Sequence, residues 1–225
     1  MRLIDISGPI YTGMWSSRPE YPGAEITPLP EPAGLPPGLH VYLDKLLISG
    51  QTGTYVETKA HIDPTGTPVT DLPLSDFCRD VVVLHVGPKA GRERITVEEL
   101  ERCRREIRAG DAVLVATGWD RMWRDPSFCD DSPFIAREAA YWLMERKIGL
   151  LGADIPRFDS IRAPEFPWVD FFDRVPLLLG PVTNLDQVTA DRATLVCFPL
   201  KIEGACSAPC RAAIIEPRIP LEGWE

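Results

Sequence analysis

Gln51, Tyr55, Glu57, Lys59 and His61 fall close together in the stretch SGQTGTYVETKAHIDPTG, Ser49 to Gly66. A carboxylate and an imidazole at this spacing can move protons near neutral pH, can ligate a divalent cation, or can stabilise a tight turn. With the backbone extended, side chains alternate between faces. Tyr55, Glu57, Lys59 and His61 would then share one face and Val56, Thr58 and Ala60 the other. Four ionisable groups in a row are costly to bury unless they pair or bind something, so that face is either solvated or functional. His61, one of only three histidines, is the sharpest candidate for proton transfer. His40 and His85 sit in strand-like runs and read as core histidines satisfied by backbone carbonyls. Glu57 can orient His61, act as a base itself, or pair with Lys59, and spacing does not rank these roles.

The elements that must position this stretch alternate between strand-like and helix-like segments. A strand around RLIDIS is followed by a Pro-rich loop, GMWSSRPEYPGAEITPLPEPAGLPPG, that carries Trp15 and Tyr21. A loop of that length inside a compact domain is often a binding loop, so the two aromatics either contact a flat ligand or pin the loop to the core. LHVYLDKLLIS reads as a strand leading into the polar stretch, and DVVVLHVG and DAVLVATGW read as buried strands. TVEELERCRREIRAG predicts a helix opened by a capping box, Thr96 with Glu99, and stopped at Gly110. SPFIAREAAYWLMERKIG predicts a second, capped by Ser132 with Pro133 at its first position. TLVCFPLKIEGACSAPCRAAIIE predicts two strands joined by a small-residue turn. Strands alternating with two or three helices imply a mixed α/β domain, with 1–225 as a single unit.

The chain carries 33 acidic against 24 basic residues, a net charge of −9, which disfavours nucleic acid and anionic membranes as partners. The start MRLIDISGPIYTGMW lacks a basic-then-apolar leader, and no run approaches the ~20 apolar residues of a spanning helix, so a cytoplasmic protein is expected. Cys78, Cys103, Cys129, Cys197, Cys206 and Cys210 form no CxxC pair and read mainly as small packing residues. The 23 prolines and 17 glycines are scattered as punctuation between apolar segments.

The frame from Gln51 to His61 resembles the cyclase family that includes bacterial kynurenine formamidase and isatin hydrolase, whose signature is His-x-Gly-Thr-His-x-Asp-x-Pro-x-His. Further landmarks follow in order: DISGPIYTGMW, GDAVLVATGW, GADIPRFDS, VTNLDQV and FPLKIEGACSAPCRAAII. The resemblance implies a swivelling β/β/α fold with mixed sheet layers and a few helices, assembled as a homodimer or homotetramer. It implies zinc or manganese held by the first two histidines and the aspartate, a proton-handling last histidine, and a later histidine and glutamate. Here the ligand positions carry Gln51, Tyr55 and Glu57, the proton-handling position carries His61, and Lys59 replaces the proline. The later segment has no histidine, with Trp168 or Val169 where one is expected, and Gly180 aligns with the glutamate.

Gln is a weak neutral ligand, and Tyr binds a divalent metal well only as a phenolate, far below its usual pKa of about 10. The expectation is therefore no cofactor, with zinc or manganese as the lesser alternative, held by Glu57, His61 and Gln51. The implied function is hydrolysis of a small cyclic or aromatic amide, formamide, imide or lactone. His61, Glu57 and Tyr55 are the catalytic candidates, and Trp15, Tyr21, Gln51 and Lys59 the candidates for substrate binding. Lys59 would supply some of the positive charge that a missing metal leaves unfilled. The alternatives are a metal-independent cyclase, isomerase or lyase, and a small-ligand-binding pseudoenzyme.

Overall fold

The structure, a computed structural model, describes residues 1–18 and 20–221. In chain order the elements are β1 (Arg2–Asp5), β2 (Glu25–Pro28), β3 (Asp44–Leu47), β4 (Tyr55–Glu57), β5 (Cys78–His85), β6 (Arg94–Ile95), α1 (Val97–Arg102), β7 (Ala112–Ala116), β8 (Phe134–Ile135), α2 (Arg137–Glu145), β9 (Leu150–Ala153), α3 (Trp168–Arg174), β10 (Leu177–Gly180), β11 (Ala193–Pro199) and β12 (Ser207–Glu216). This is the mixed α/β architecture with few helices that the sequence implies.

β5, β7, β9 and β10 run parallel, as expected of β-branched and leucine-rich runs covered on both faces. β12 and β11 extend the sheet antiparallel on one side, and β4 pairs antiparallel with β10 on the other. Because β4 also pairs with β12, the order β12-β11-β5-β7-β9-β10-β4 closes on itself, and β1 is carried beside β4 on β12. Alternation along the strands then fills two separate cores. Val81, Val83, Ala112, Leu114, Val56 and Leu179 belong to the one inside the ring. Val82, Leu84, Val113 and Val115 meet the helices outside, where α2 buries Ala139, Ala140, Leu143 and Met144. Truncating a fully enclosed side chain such as Leu143 to alanine costs on the order of 2–5 kcal/mol.

Several predicted elements are shorter than their patterns. The Thr96–Glu99 capping box is present, but α1 stops at Arg102 and Arg104 turns to φ 51°. Cys103 and Ile107 still pack against the outer core, but the left-handed Arg104 between them breaks the helical path that their spacing predicts. Ser132 does not cap α2. It is buried, with its hydroxyl on the Pro133 carbonyl, and Phe134–Ile135 pair in parallel with Arg94–Ile95 before the helix begins at Arg137. The ladder with β6 takes the residues that propensity assigned to a first turn. In LHVYLDKLLIS only Asp44–Leu47 is a strand, and it pairs with β2 in a two-stranded hairpin apart from the main sheet. Apart from the partly buried Ile26 the hairpin strands are exposed, including Leu46 and Leu47, as is Leu43 just before β3.

Candidate functional site

The polar stretch is extended only over Tyr55–Glu57, and not to His61 as its alternation suggests. Thr58 ends the strand, accepting from the Ala60 amide and donating to the Thr67 carbonyl, and Lys59–His61 form a single 3-10 turn. Gly53, in the turn just before the strand, takes φ +67°, a left-handed conformation that favours glycine. The Thr54 hydroxyl clamps it further, donating to Pro181 O and accepting from the Gly8 amide. β4 is thus hydrogen-bonded on both edges, with Tyr55 opposite Gly180 and Pro209 and Glu57 opposite Leu178 and Ser207. Val56 enters the ring core, and Tyr55 and Glu57 face outward toward the loop after β9.

Between β4 and that loop lies a cavity of about 450 Å³, the size of a small-molecule site. Gln51, Tyr55, Glu57 and His61 line one wall, and Arg157, Phe158 and Trp168 line another. Glu57 is 3% exposed, and burial pushes its carboxyl up to about 7 against the opposing hydrogen bond from Gln51 Nε2. The Gln51 Oε1 accepts from Ser17 Oγ at 3.3 Å, which fixes the amide nitrogen toward the carboxylate. His61 Nδ1 stands 3.9 Å from Glu57 Oε2 and its Nε2 3.4 Å from the Gln51 amide nitrogen. Burial lowers the His61 pKa and the nearby Arg18 lowers it further, so at neutral pH the imidazole is uncharged. Burial, with the Glu57 charge second, pushes the Tyr55 phenol well above its ordinary value and keeps it a neutral hydrogen-bond donor.

The structure brings Gln51, Tyr55, Glu57, His61 and Tyr21 to one cavity, and separates Lys59 and Trp15 from it. Once the strand ends at Thr58, Lys59 no longer shares the face of Glu57. Its ammonium bonds Asp173 Oδ1 at 2.8 Å and lies 3.4 Å from Asp63, beside a different groove. Trp15 packs with its ring 5.0 Å from those of Trp123 and Phe128, so it pins the Pro-rich loop to the core. His40 and His85 are exposed, not core residues, and His40 pairs with Glu31 at 3.1 Å.

Sequence reasoning did not single out Arg157, Asp159 or Arg18 as site residues, although Arg157 and Asp159 lie within the landmark GADIPRFDS. Asp159 organises the loop wall, its Oδ1 accepting from the amides of Ser160, Glu165 and Phe166 and its Oδ2 from Trp168 Nε1. A signal was available in a charged pair flanking Phe158 between prolines. Cys206 Sγ lies 3.8 Å from His61 Nδ1 but does not line the cavity. Burial pushes the Cys210 thiol up to about 12, which makes it a poor nucleophile at neutral pH.

The donor set does not suit a catalytic divalent metal. Gln51 turns its amide nitrogen to Glu57, Tyr55 stays a phenol, and a side chain at Gly180 would start 3.1 Å from the Phe158 ring, which fills that space. Among the described residues no group of three or more His, Cys, Asp or Glu is placed to hold an ion, whereas catalytic zinc ordinarily takes three protein ligands. No helix among the described residues is long and apolar enough to cross a membrane.

A family model described as "Putative cyclase" matches residues 4–160. The kynurenine formamidase of Geobacillus thermodenitrificans (strain NG80-2) is 26% identical over 176 residues, covering 77% of this chain and 80% of that protein. The kynurenine formamidase of Salinibacter ruber (strain DSM 13855 / M31) is 27% identical over 180 residues, with the same 77% and 80% coverage. Among solved structures, an isatin hydrolase bound to the product analogue thioisatinate superposes with a TM-score of 0.79 at 23% identity, covering 96% of this chain and 92% of that one. A potential metal-dependent hydrolase with cyclase activity superposes with a TM-score of 0.78 at 22% identity, covering 97% and 99%.

Proposed function

The chain belongs to the cyclase family, and on that footing we propose that it hydrolyses a small cyclic or aromatic amide, formamide, imide or lactone without a catalytic metal. The observation that carries this reading is the Glu57 carboxyl, buried in the cavity wall, held near pKa 7 and set 3.9 Å from an uncharged imidazole. A general base works best when its pKa lies near the operating pH. One water bridges a 3.9 Å gap with about 2.8 Å to each side. Glu57 takes a proton from that water as its oxygen attacks the carbonyl carbon. The neutral Tyr55 hydroxyl donates to the developing oxyanion, and His61 carries the proton to the departing nitrogen or oxygen as the C–N or C–O bond breaks. Gln51 positions Glu57 and holds its carboxylate toward the cavity.

Kynurenine formamidase and isatin hydrolase relatives support the amide-type substrate, and the cavity volume supports a small one. The reading extends to a single-domain cytoplasmic enzyme, supported by six free thiols, that binds neither nucleic acid nor membrane. It extends also to a homodimer or homotetramer, supported by the exposed apolar side chains of the β2–β3 hairpin.

The test is a screen of aryl formamides, cyclic imides and lactones in the presence of chelator, with a pH–rate profile and Glu57→Gln alongside. Hydrolysis rising with pH through about 7 and falling by about 10²–10⁴ in the variant is expected. Activity that needs added zinc or manganese would overturn the metal-free mechanism. Exchange of a substrate proton with solvent and no hydrolysis would assign the same carboxylate to an isomerase or lyase. Saturable binding with neither would leave a ligand-binding protein.

A further inference from the structure

Arg157 is a cation for which the protein supplies almost no partner. Its Nε is buried without a hydrogen-bond acceptor, and one Nη donates to the Ser17 carbonyl. It makes no ion pair among the described residues, although a guanidinium offers five N–H donors and stays charged at any ordinary pH. The nearby carboxylate Asp159 is already committed, Oδ1 to three backbone amides and Oδ2 to the Trp168 indole. A partly buried cation without a counter-charge is costly, and an incoming anion relieves that cost.

Its position is as informative as its lack of partners. Arg157 lines the cavity of Glu57 and His61 and also an adjoining pocket of about 220 Å³, so it stands where the two spaces meet. Arg18, on the Pro-rich loop, lines the same cavity and likewise forms no ion pair among the described residues. Two guanidinium groups without an ion pair among the described residues thus face one small cavity in a chain whose net charge is −9. The arrangement concentrates an anion locally against the average field of the protein.

We infer that the substrate carries its own carboxylate, and that Arg157, assisted by the exposed Arg18, binds it and so seats the scissile carbonyl against Glu57 and His61. The inference rests on the hydrolase reading above and names the substrate class for it. With Nε enclosed and one Nη sharing its protons with the Ser17 carbonyl, it is the Nη groups of Arg157 that meet a carboxylate in charge-assisted contact, which a neutral ester or amide cannot reproduce. Hydrolysis breaks the C–N bond of the scissile amide, forms a C–O bond from water and returns a proton to the amine, and the bound carboxylate is unchanged throughout.

The test measures binding and turnover separately on the full chain. In calorimetric titrations, benzoate, 2-aminobenzoate and phenylacetate are each compared with the corresponding amide. Wild type is expected to prefer each acid by about 10- to 100-fold, as charge-assisted hydrogen bonds imply. Arg157→Gln is expected to abolish the preference, Arg157→Lys to restore part of it, and Arg18→Gln, at an exposed position, to reduce it by a few-fold. Equal or undetectable binding of acids and amides throughout the set, or a preference that survives Arg157→Gln, overturns the inference. The kinetic arm compares N-formyl-2-aminobenzoate with its methyl ester, and a higher kcat/KM for the acid that depends on Arg157 is expected. Equal hydrolysis of both, with product inhibition that depends on Arg157, would assign the guanidinium to the product's new carboxylate and refute a carboxylate requirement in the substrate. An acid preference in binding with no turnover of either compound would leave the anion site standing and sink the hydrolase reading.

Discussion

Replacing Glu57 by glutamine separates the electrostatic cost of this carboxyl from its chemistry. Glutamine keeps the shape and can still accept from Gln51 Nε2, but it removes the charge. Burial raises the Glu57 pKa from 4.5 to about 7. The folded state therefore holds this proton more tightly than the unfolded chain does. Its contribution is fully present below pH 4.5 and is lost as pH rises through about 7. The rise from 4.5 to about 7 corresponds to about 3.4 kcal/mol in full, of which about 2.5 kcal/mol falls between pH 5 and pH 8. Glu57→Gln has no such term, so its stability relative to wild type is expected to climb by about that amount over the same interval. For a chain of this length the change amounts to on the order of 5–10 °C in Tm. Urea unfolding of both proteins at half-unit pH steps reads it directly, and the difference cancels every other titrating group the two share. A stability difference that stays flat from pH 5 to pH 8 would refute the argument that Glu57 is a desolvated, ionisable carboxyl. It would also remove the reason for choosing it as the base.

Two other expectations follow from the donor set and the exposed hairpin. Elemental analysis of protein incubated with zinc and manganese and then dialysed is expected to find well under one ion per chain, and chelator is expected to leave Tm unchanged. Near one tightly held ion per chain would show that Gln51 or Tyr55 rearranges to ligate. Charged replacements at Leu43 and Leu46, which are 62% and 59% exposed, are expected to shift the mass seen by light scattering toward the monomer with little loss of fold. An unchanged oligomer would assign the contact to another surface.

The fold was legible where one pattern had only one place to go. The β-branched runs around Val81–Leu84 and Val113–Val115 are apolar on both faces because the ring core takes one face and the helices take the other. The Thr96–Glu99 capping box marked a helix start correctly, since the signal is local. Failures came where a distant partner outweighed the local pattern. Phe134 and Ile135 pair with Arg94 and Ile95 rather than joining α2, and their partner lies about forty residues away in the sequence. The run Leu39–Leu47 read as a strand leading into the polar stretch, and only the tertiary structure shows that the strand is limited to Asp44–Leu47 on an exposed hairpin.

The site was legible to the end of β4, and the reason it was not legible further lies in Thr58. Period-two counting holds only while the backbone stays extended, and the Thr58 hydroxyl stops it by capping a 3-10 turn. Gln51, Tyr55, Glu57 and His61 still converge, His61 now from the turn and not from the strand. Lys59 is rotated away to Asp173 and Asp63, so the positive charge expected from it in the cavity is absent. The cations that do face the cavity come from elements far apart in the sequence. Arg18 is on the Pro-rich loop and Arg157 on the loop after β9. Their roles depend on distance from His61 and on Asp159 being occupied elsewhere, neither of which any spacing along the chain encodes. A buried carboxyl near pKa 7 and two guanidinium groups without an ion pair among the described residues line the same small space, so the cavity is polarised by its own side chains. That polarity favours an acid seated by its carboxylate with a neutral acyl group presented to Glu57, and it disfavours the reverse orientation.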